Sequence, residues 1–147
     1  MQGKIIVITG ANSGIGKLTT KALAEKGPII VMACRNLLKA NRVCEIIIKE
    51  TGSKRIEAME LDLGSLCSIR RFARQFSNRY RHLDVLINNA GTFCMKREET
   101  SDGFEKTMGT NYFGLFLLTH LLLQSLRKSP EARICKGALG KIIQDVV

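Results

Sequence analysis

The chain has 147 residues, 45% of them hydrophobic and 24% charged, which suits one domain with a buried core and excludes an intrinsically disordered polymer. A net charge of +10 invites an anionic partner, but with two tyrosines and no tryptophan there are no aromatic platforms between the basic residues, so nucleic acid is not expected as that partner. The five cysteines, at 34, 44, 67, 94 and 135, are widely spaced with no C-x-x-C pair; this speaks against a metal site and a disulfide framework and fits small buried hydrophobes in a reducing compartment.

In chain order, "MQGK" leads straight into "KIIVIT" (4–9), so no signal peptide is expected; the unbroken apolar run predicts a strand buried on both faces. The glycine-rich stretch "TGANSGIG" (9–16) follows. From Ile15 to Lys26 the residues Ile15, Leu18, Ala22 and Leu23 recur at helical spacing as a core face, until Gly27 and Pro28 stop the helix. "IIVMAC" (29–34) is the second strand. "NLLKANRVCEIIIKET" (36–51) reads as a helix capped by Asn36 and stopped by Gly52. "RIEAMELDL" (55–63) gives the third strand, and Ser65 opens a helix to about Tyr80. That helix carries Leu66, Ile69, Ala73 and Phe76 at core spacing, with Arg70, Arg71 and Arg74 on a solvated face and Arg79 and Arg81 beyond. "DVLIN" (84–88) is the fourth strand. A long helix is expected over about 101–128. Its run "YFGLFLLTHLLL" (112–123) is shorter than the roughly 20 residues of a membrane span and reads as buried on nearly all sides. "SPEARI" (129–134) leads toward a fifth strand, and "GKIIQDVV" could itself be that strand or a short helix.

Strands alternating with helices at this spacing imply an α/β fold, a doubly wound parallel sheet of about four to five strands in the order 3-2-1-4-5. Residues 1–134 form one domain on this reading and 135–147 a divergent tail. Ligands of such sheets bind beyond the carboxyl ends of the strands where the order reverses. "TGANSGIG" and "NNAG" (88–91) both fall there, so two separate segments converge on one crevice.

A strand, a glycine turn and a helix N-terminus form an anion site, because main-chain N–H groups point outward and the helix dipole favours negative charge. The phosphate-loop pattern fails, since Gly10 and Gly16 are one residue too far apart and Lys17 is followed by Leu18. The G-x-G-x-x-G pattern fails too, with glycines at 10, 14 and 16. T-G-x-x-x-G-x-G does match. With "LDL" (61–63), "NNAG" and Asn111 it makes the chain resemble the short-chain dehydrogenase/reductase family over about residues 3–134. "ACRN" and "DGFE" (102–105) bring it nearest the retinol-dehydrogenase-like branch.

The resemblance implies a Rossmann-like fold, an alcohol/carbonyl oxidoreductase and a set of site residues. Gly10, Asn12, Gly14 and Gly16 would cradle a pyrophosphate, with main-chain contacts from Ser13 and Ile15. Asp62 would take the adenine amino group beside Leu63, unless it serves instead as a cap for the helix near Ser65. Asn89, Ala90 and Gly91 would line the ribose and nicotinamide side, while Asn88 steadies strand 4. At the end of strand 2, where an NAD binder places an acid, stand Arg35 and Asn36. Arg35 suits a 2′-phosphate, so NADP(H) is expected rather than NAD. Asn111 matches the catalytic Asn that steadies a water. The family's catalytic Ser and Tyr-x-x-x-Lys have no match: Tyr80 is followed four places on by Asp84, and Tyr112 by Phe116. The expectation is therefore a truncated form with little or no activity of its own, whose full-length relatives act on small alcohols and carbonyls such as retinoid or lipid aldehydes. The alternative is a non-catalytic cofactor-binding or interaction module pairing with an intact relative. Self-association through an exposed 112–126 helix and a cytoplasmic or cytosol-facing location, without a membrane span, complete the expectations.

Overall fold

A computed structural model describes residues 1–138 and 141–146. It contains β1 (Ile5–Thr9), α1 (Gly14–Ala24), β2 (Ile29–Cys34), α2 (Leu37–Thr51), β3 (Ile56–Glu60), α3 (Leu66–Arg79) and β4 (Val85–Asn88). Then come α4 (Lys106–Met108), a π-helical turn (Gly109–Gly114), α5 (Leu115–Arg127), β5 (Arg133–Ala138) and β6 (Lys141–Val146). The sheet order is β3-β2-β1-β4-β5-β6. The first five strands run parallel in the expected order, and β6 turns back to pair antiparallel with β5, Arg133 opposite Val146. "KIIQDV" is thus a sixth strand, while β5 continues the sheet through position 134. A hairpin needs only a short turn, whereas another parallel strand would require a crossover of a dozen residues or more.

Helices cover both faces of the central strands. Beneath α3 and α5 lies a core of Val7, Val31, Phe72, Phe76, Leu86, Leu118 and Leu122 among others; on the α1/α2 side lies another, with Ile6, Ile8, Ile30, Met32, Cys44 and Ile47. The middle strands are apolar up to Thr9 and Asn88, the last residues of β1 and β4, because both sides are buried.

Three expectations are corrected. In α1 the buried residues are Gly16, Thr20 and Ala24, whereas Ile15 and Leu18 are 58% and 67% exposed. Small residues let α1 approach the sheet closely, and a rule that follows bulk cannot see that. The helix expected from about 101 starts at Lys106, after a turn through Gly103 (φ +81°), and widens into a π turn. Its apolar run is not buried on nearly all sides: Leu118, Leu122 and Leu126 face the core while Phe116 is 66% exposed. Of the arginines on α3, Arg71 and Arg79 pair with Glu60 and Glu57 of β3 at 3.2 and 2.8 Å. Among the described residues no helix is long and apolar enough to cross a membrane, and no three His, Cys, Asp or Glu side chains converge as a metal site.

A buried carboxylate ties the starts of the strands together. Asp84 accepts the Ile5 N–H at 2.7 Å and the Ser129 hydroxyl at 2.7 Å, with His82 Nε2 at 3.1 Å. Burial opposes its ionisation, but the Ser129 and Ile5 hydrogen bonds, with His82 and Lys4, outweigh that and hold it below the ordinary carboxylate range.

Candidate functional site

At the opposite end of the sheet, the carboxyl ends of β1 and β4 are locked by one hydroxyl. Thr9 Oγ1 accepts the N–H groups of Asn89 and Ala90, each at 2.9 Å, and the Asn89 amide donates back to the Thr9 carbonyl at 2.9 Å. The turn after β1 is crowded against this joint. A side-chain carbon on Gly16 would lie 2.5 Å from the Gly10 carbonyl oxygen and 2.6 Å from Asn89 Nδ2. Gly14 differs: its φ of +50° excludes most side chains, yet a carbon there would meet nothing within 4 Å. The turn is packed tight behind Gly16 and open in front of Gly14. Ser13 precedes α1 with no capping hydrogen bond from its side chain, and α1 has no acid in its first turn, so an incoming anion meets no protein carboxylate there.

In front of the turn lies a cleft of about 440 Å³, within the usual size of small-molecule sites. Its walls come from Gly10, Asn12 and Ser13, from Arg35, Asn36 and Lys39 after β2, from Asp62 and Leu63 after β3, and from Ala90, Gly91 and Thr92 after β4. Gly14, Ile15, Gly16, Asn89 and Asn111 are not among its walls. Ile15 is exposed, Gly16 is buried behind Gly10, and the Asn89 Nδ2 donates to the Thr9 and Gly10 carbonyls. Asn89 clamps the turn, because its amide N–H groups stand beside two main-chain carbonyls.

Asn36 caps α2 by accepting the Lys39 N–H at 2.8 Å, and it also borders the cleft. Asp62 does not cap α3, a task that falls to Ser65; its Oδ1 accepts the Gly64 N–H at 2.9 Å within the turn. Asn111 lies in the π turn with its side chain bonded to the loop after β4: Oδ1 accepts the Thr92 N–H at 2.8 Å and Nδ2 donates to the Thr92 carbonyl at 2.7 Å. It therefore fixes the loop after β4. The wide turn is seated by Gly114, since a side-chain carbon there would collide with the Leu63 carbonyl.

Sequence reasoning missed Lys39, Thr92 and Thr110. Lys39 was findable, because it stands three residues after the Asn36 cap, in the first turn of a helix aimed at the cleft. Arg35 and Lys39 make one end of the cleft basic, and Asp62 is the sole acid among its lining residues. Beneath that end, burial pushes the Cys34 thiol above its ordinary value, against the Ala11 and Asn12 amides and the Lys39 charge, so it stays neutral.

A family profile described as "short chain dehydrogenase" matches residues 4–138. Retinol dehydrogenase 11 of Homo sapiens is 46% identical over 134 residues, covering 91% of this chain and 42% of the relative. Retinol dehydrogenase 13 of Mus musculus is 45% identical over 132 residues, covering 90% and 40%. The chain thus spans about two fifths of the length of these curated relatives, at 42% and 40%. Among solved structures, a short chain dehydrogenase of Shigella flexneri complexed with NADP superposes with a TM-score of 0.80 at 28% identity, covering 92% of this chain and 59% of that one. Another, of Escherichia coli and complexed with NADPH, gives 0.80 at 28% identity, covering 92% and 58%.

Proposed function

This chain belongs to the short chain dehydrogenase family, and on that footing we propose that it binds NADP(H) in the cleft between β1, β2 and β4. Gly10, Asn12, Ser13 and the first turn of α1 at Gly14, Ile15 and Gly16 hold the pyrophosphate. Asp62 and Leu63 take the adenine, and Ala90, Gly91 and Thr92 flank the nicotinamide side. Asn89 and Asn111 act indirectly, by holding the turn and the loop. The observation that carries this reading is the basic end of the cleft, where Arg35 and Lys39 stand after β2 in place of the acid that would accept a ribose 2′-hydroxyl. The fit rests also on the open space in front of Gly14, where main chain and phosphate can approach.

The activity proposed for the whole protein is oxidoreduction of alcohol/carbonyl pairs, retinoid or lipid aldehydes among them. The bound cofactor supplies or accepts the hydride. These 147 residues contain no Tyr-x-x-x-Lys to move the accompanying proton, so on their own they bind the cofactor without efficient turnover. The test is calorimetric titration with NADP⁺ and NAD⁺. NADP⁺ binds the more tightly, and Arg35→Ala weakens it by about 10- to 100-fold, the worth of a charge-assisted bidentate pair, while leaving NAD⁺ unchanged. Equal affinities for the two cofactors in the unaltered protein would refute the assignment.

A second reading, self-association, is favoured by the outer face of the π turn and α5, where Met108, Tyr112 and Phe116 stand exposed at four-residue spacing. Sedimentation shows concentration-dependent association, which Phe116→Glu reverses; a monomer at all concentrations disposes of it.

A further inference from the structure

The two helices on one side of the sheet carry large apolar side chains on their outer surface. α1 packs inward through Gly16, Thr20 and Ala24, and α2 through Ala40, Val43, Cys44 and Ile47. On the outer side Leu18 is 67% exposed, Leu38 78% and Ile46 42%. The helices are held side by side by Lys21 and Glu50, 2.9 Å apart. Leu18 and Ile46 stand one turn before that pair on their respective helices. Leu38, Arg42 and Ile46 follow one another at four-residue spacing along α2, so the three apolar crowns share one surface.

The same surface is basic. α1 and α2 carry Lys17, Lys21, Lys39, Arg42 and Lys49 against Glu45 and Glu50, five basic residues against two acidic. Lys21 is engaged by Glu50, but Lys17, Lys39, Arg42 and Lys49 enter no salt bridge among the described residues. A second copy would bring the same excess of positive charge and be repelled. Nucleic acid would match the charge, but its phosphates offer a leucine nothing apolar to enter. Protruding leucines among unpaired cations match an anionic lipid surface, where the crowns sink below the headgroups and the long basic side chains reach the phosphates.

We propose that the outer face of α1 and α2 docks on an anionic membrane, so that the domain lies on the bilayer without crossing it. Asn36 and Lys39 line the cleft wall and Leu38 stands between them in sequence, so docking sets the cleft beside the lipid. The proposal is independent of the NADP(H) reading, because it uses the outer side of the helices and not the cleft.

The test is flotation of the chain with lipid vesicles. The unaltered chain rises with vesicles of phosphatidylcholine and phosphatidylserine in equal parts, stays behind with phosphatidylcholine alone, and is released as salt is raised. Leu18→Ser combined with Leu38→Ser weakens vesicle binding about tenfold or more, and Arg42→Gln combined with Lys49→Gln does so by about tenfold. Arg70→Gln combined with Arg74→Gln removes two charges from α3, on the other side of the sheet, and changes binding by less than about twofold. All these positions are exposed, and an unchanged melting temperature shows that each variant is folded. The proposal is overturned if the unaltered chain ignores the anionic vesicles or if the leucine variant binds them normally. It is overturned also if the α3 variant loses as much, because the attraction would then be that of the overall +10 charge. Binding to polyglutamate that equals vesicle binding and survives the leucine substitutions assigns the face to an acidic protein and likewise overturns it.

Discussion

Replacing Gly16 and Gly14 one at a time with alanine separates the scaffold of the turn from its binding face. At Gly16 the new methyl carbon would stand 2.5 Å from the Gly10 oxygen, about 0.9 Å short of ordinary 3.4 Å contact, and 2.6 Å from the Asn89 amide nitrogen. Neither neighbour is the loose end of a flexible chain. The oxygen is main chain, and the amide is held by the Thr9 carbonyl at 2.9 Å. Relief requires α1 to move off the sheet or Asn89 to release Thr9. Overpacking of this kind costs about 1–3 kcal/mol, and a broken clamp adds about 1 kcal/mol. Gly14→Ala meets no atom and incurs only the left-handed backbone penalty of about 1–2 kcal/mol, but it puts a methyl group on the open side of the turn. Urea unfolding and NADP⁺ calorimetry on both variants therefore give two patterns. Gly16→Ala loses the larger share of stability together with binding, while Gly14→Ala stays the more stable of the two and still loses binding. A Gly16→Ala protein as stable as the parent, or a Gly14→Ala protein that binds NADP⁺ normally, refutes the division of labour.

Two further perturbations probe the supports of the site. Because Asp84 has a depressed pKa when folded, the stability it contributes is complete above the unfolded carboxylate value of about 3.9 and is lost as pH falls through the folded value. Asp84→Asn should thus cost about 1–3 kcal/mol at neutral pH, with the gap to the parent closing as urea unfolding is repeated below about pH 4; a gap that is constant with pH contradicts the assignment. Asn111→Ala removes both hydrogen bonds to Thr92, so amide exchange in the 91–97 loop should quicken while the central strands are unchanged. Unaltered exchange in that loop would show that Asn111 does not hold it.

The strands were legible because burial on both faces writes itself as unbroken apolar runs; "IIVMAC" coincides with β2 residue for residue. Caps were legible as well, since Asn36 and Gly52 are local devices, the second at φ +70°. Small-residue packing was not. Gly16, Thr20 and Ala24 carry α1 against the sheet, and a search for bulky periodicity points to Ile15 and Leu18 on the opposite side. The π turn was hidden for a related reason, because Gly114 reads as an indifferent residue until the Leu63 carbonyl is seen against it. In the site, the motifs contribute Gly10, Asn12, Ser13, Asp62, Leu63, Ala90 and Gly91 to one cleft, but what each side chain bonds to could not be read from the sequence. Whether an asparagine amide faces a ligand or a neighbouring carbonyl depends on what the fold sets beside it, and both Asn89 and Asn111 found backbone.

The Asp84 joint bears on how the chain assembles. Its partners lie 79 positions upstream, at Ile5, and 45 downstream, at Ser129. A growing polypeptide can form the β1–β2–β3 half with its helices early, but the carboxylate lacks its hydroxyl donor until Ser129 has emerged. Loop closure over such separations is slow, so the last register to set during synthesis should be that of β4 and β5, leaving the edge of the unfinished sheet open meanwhile.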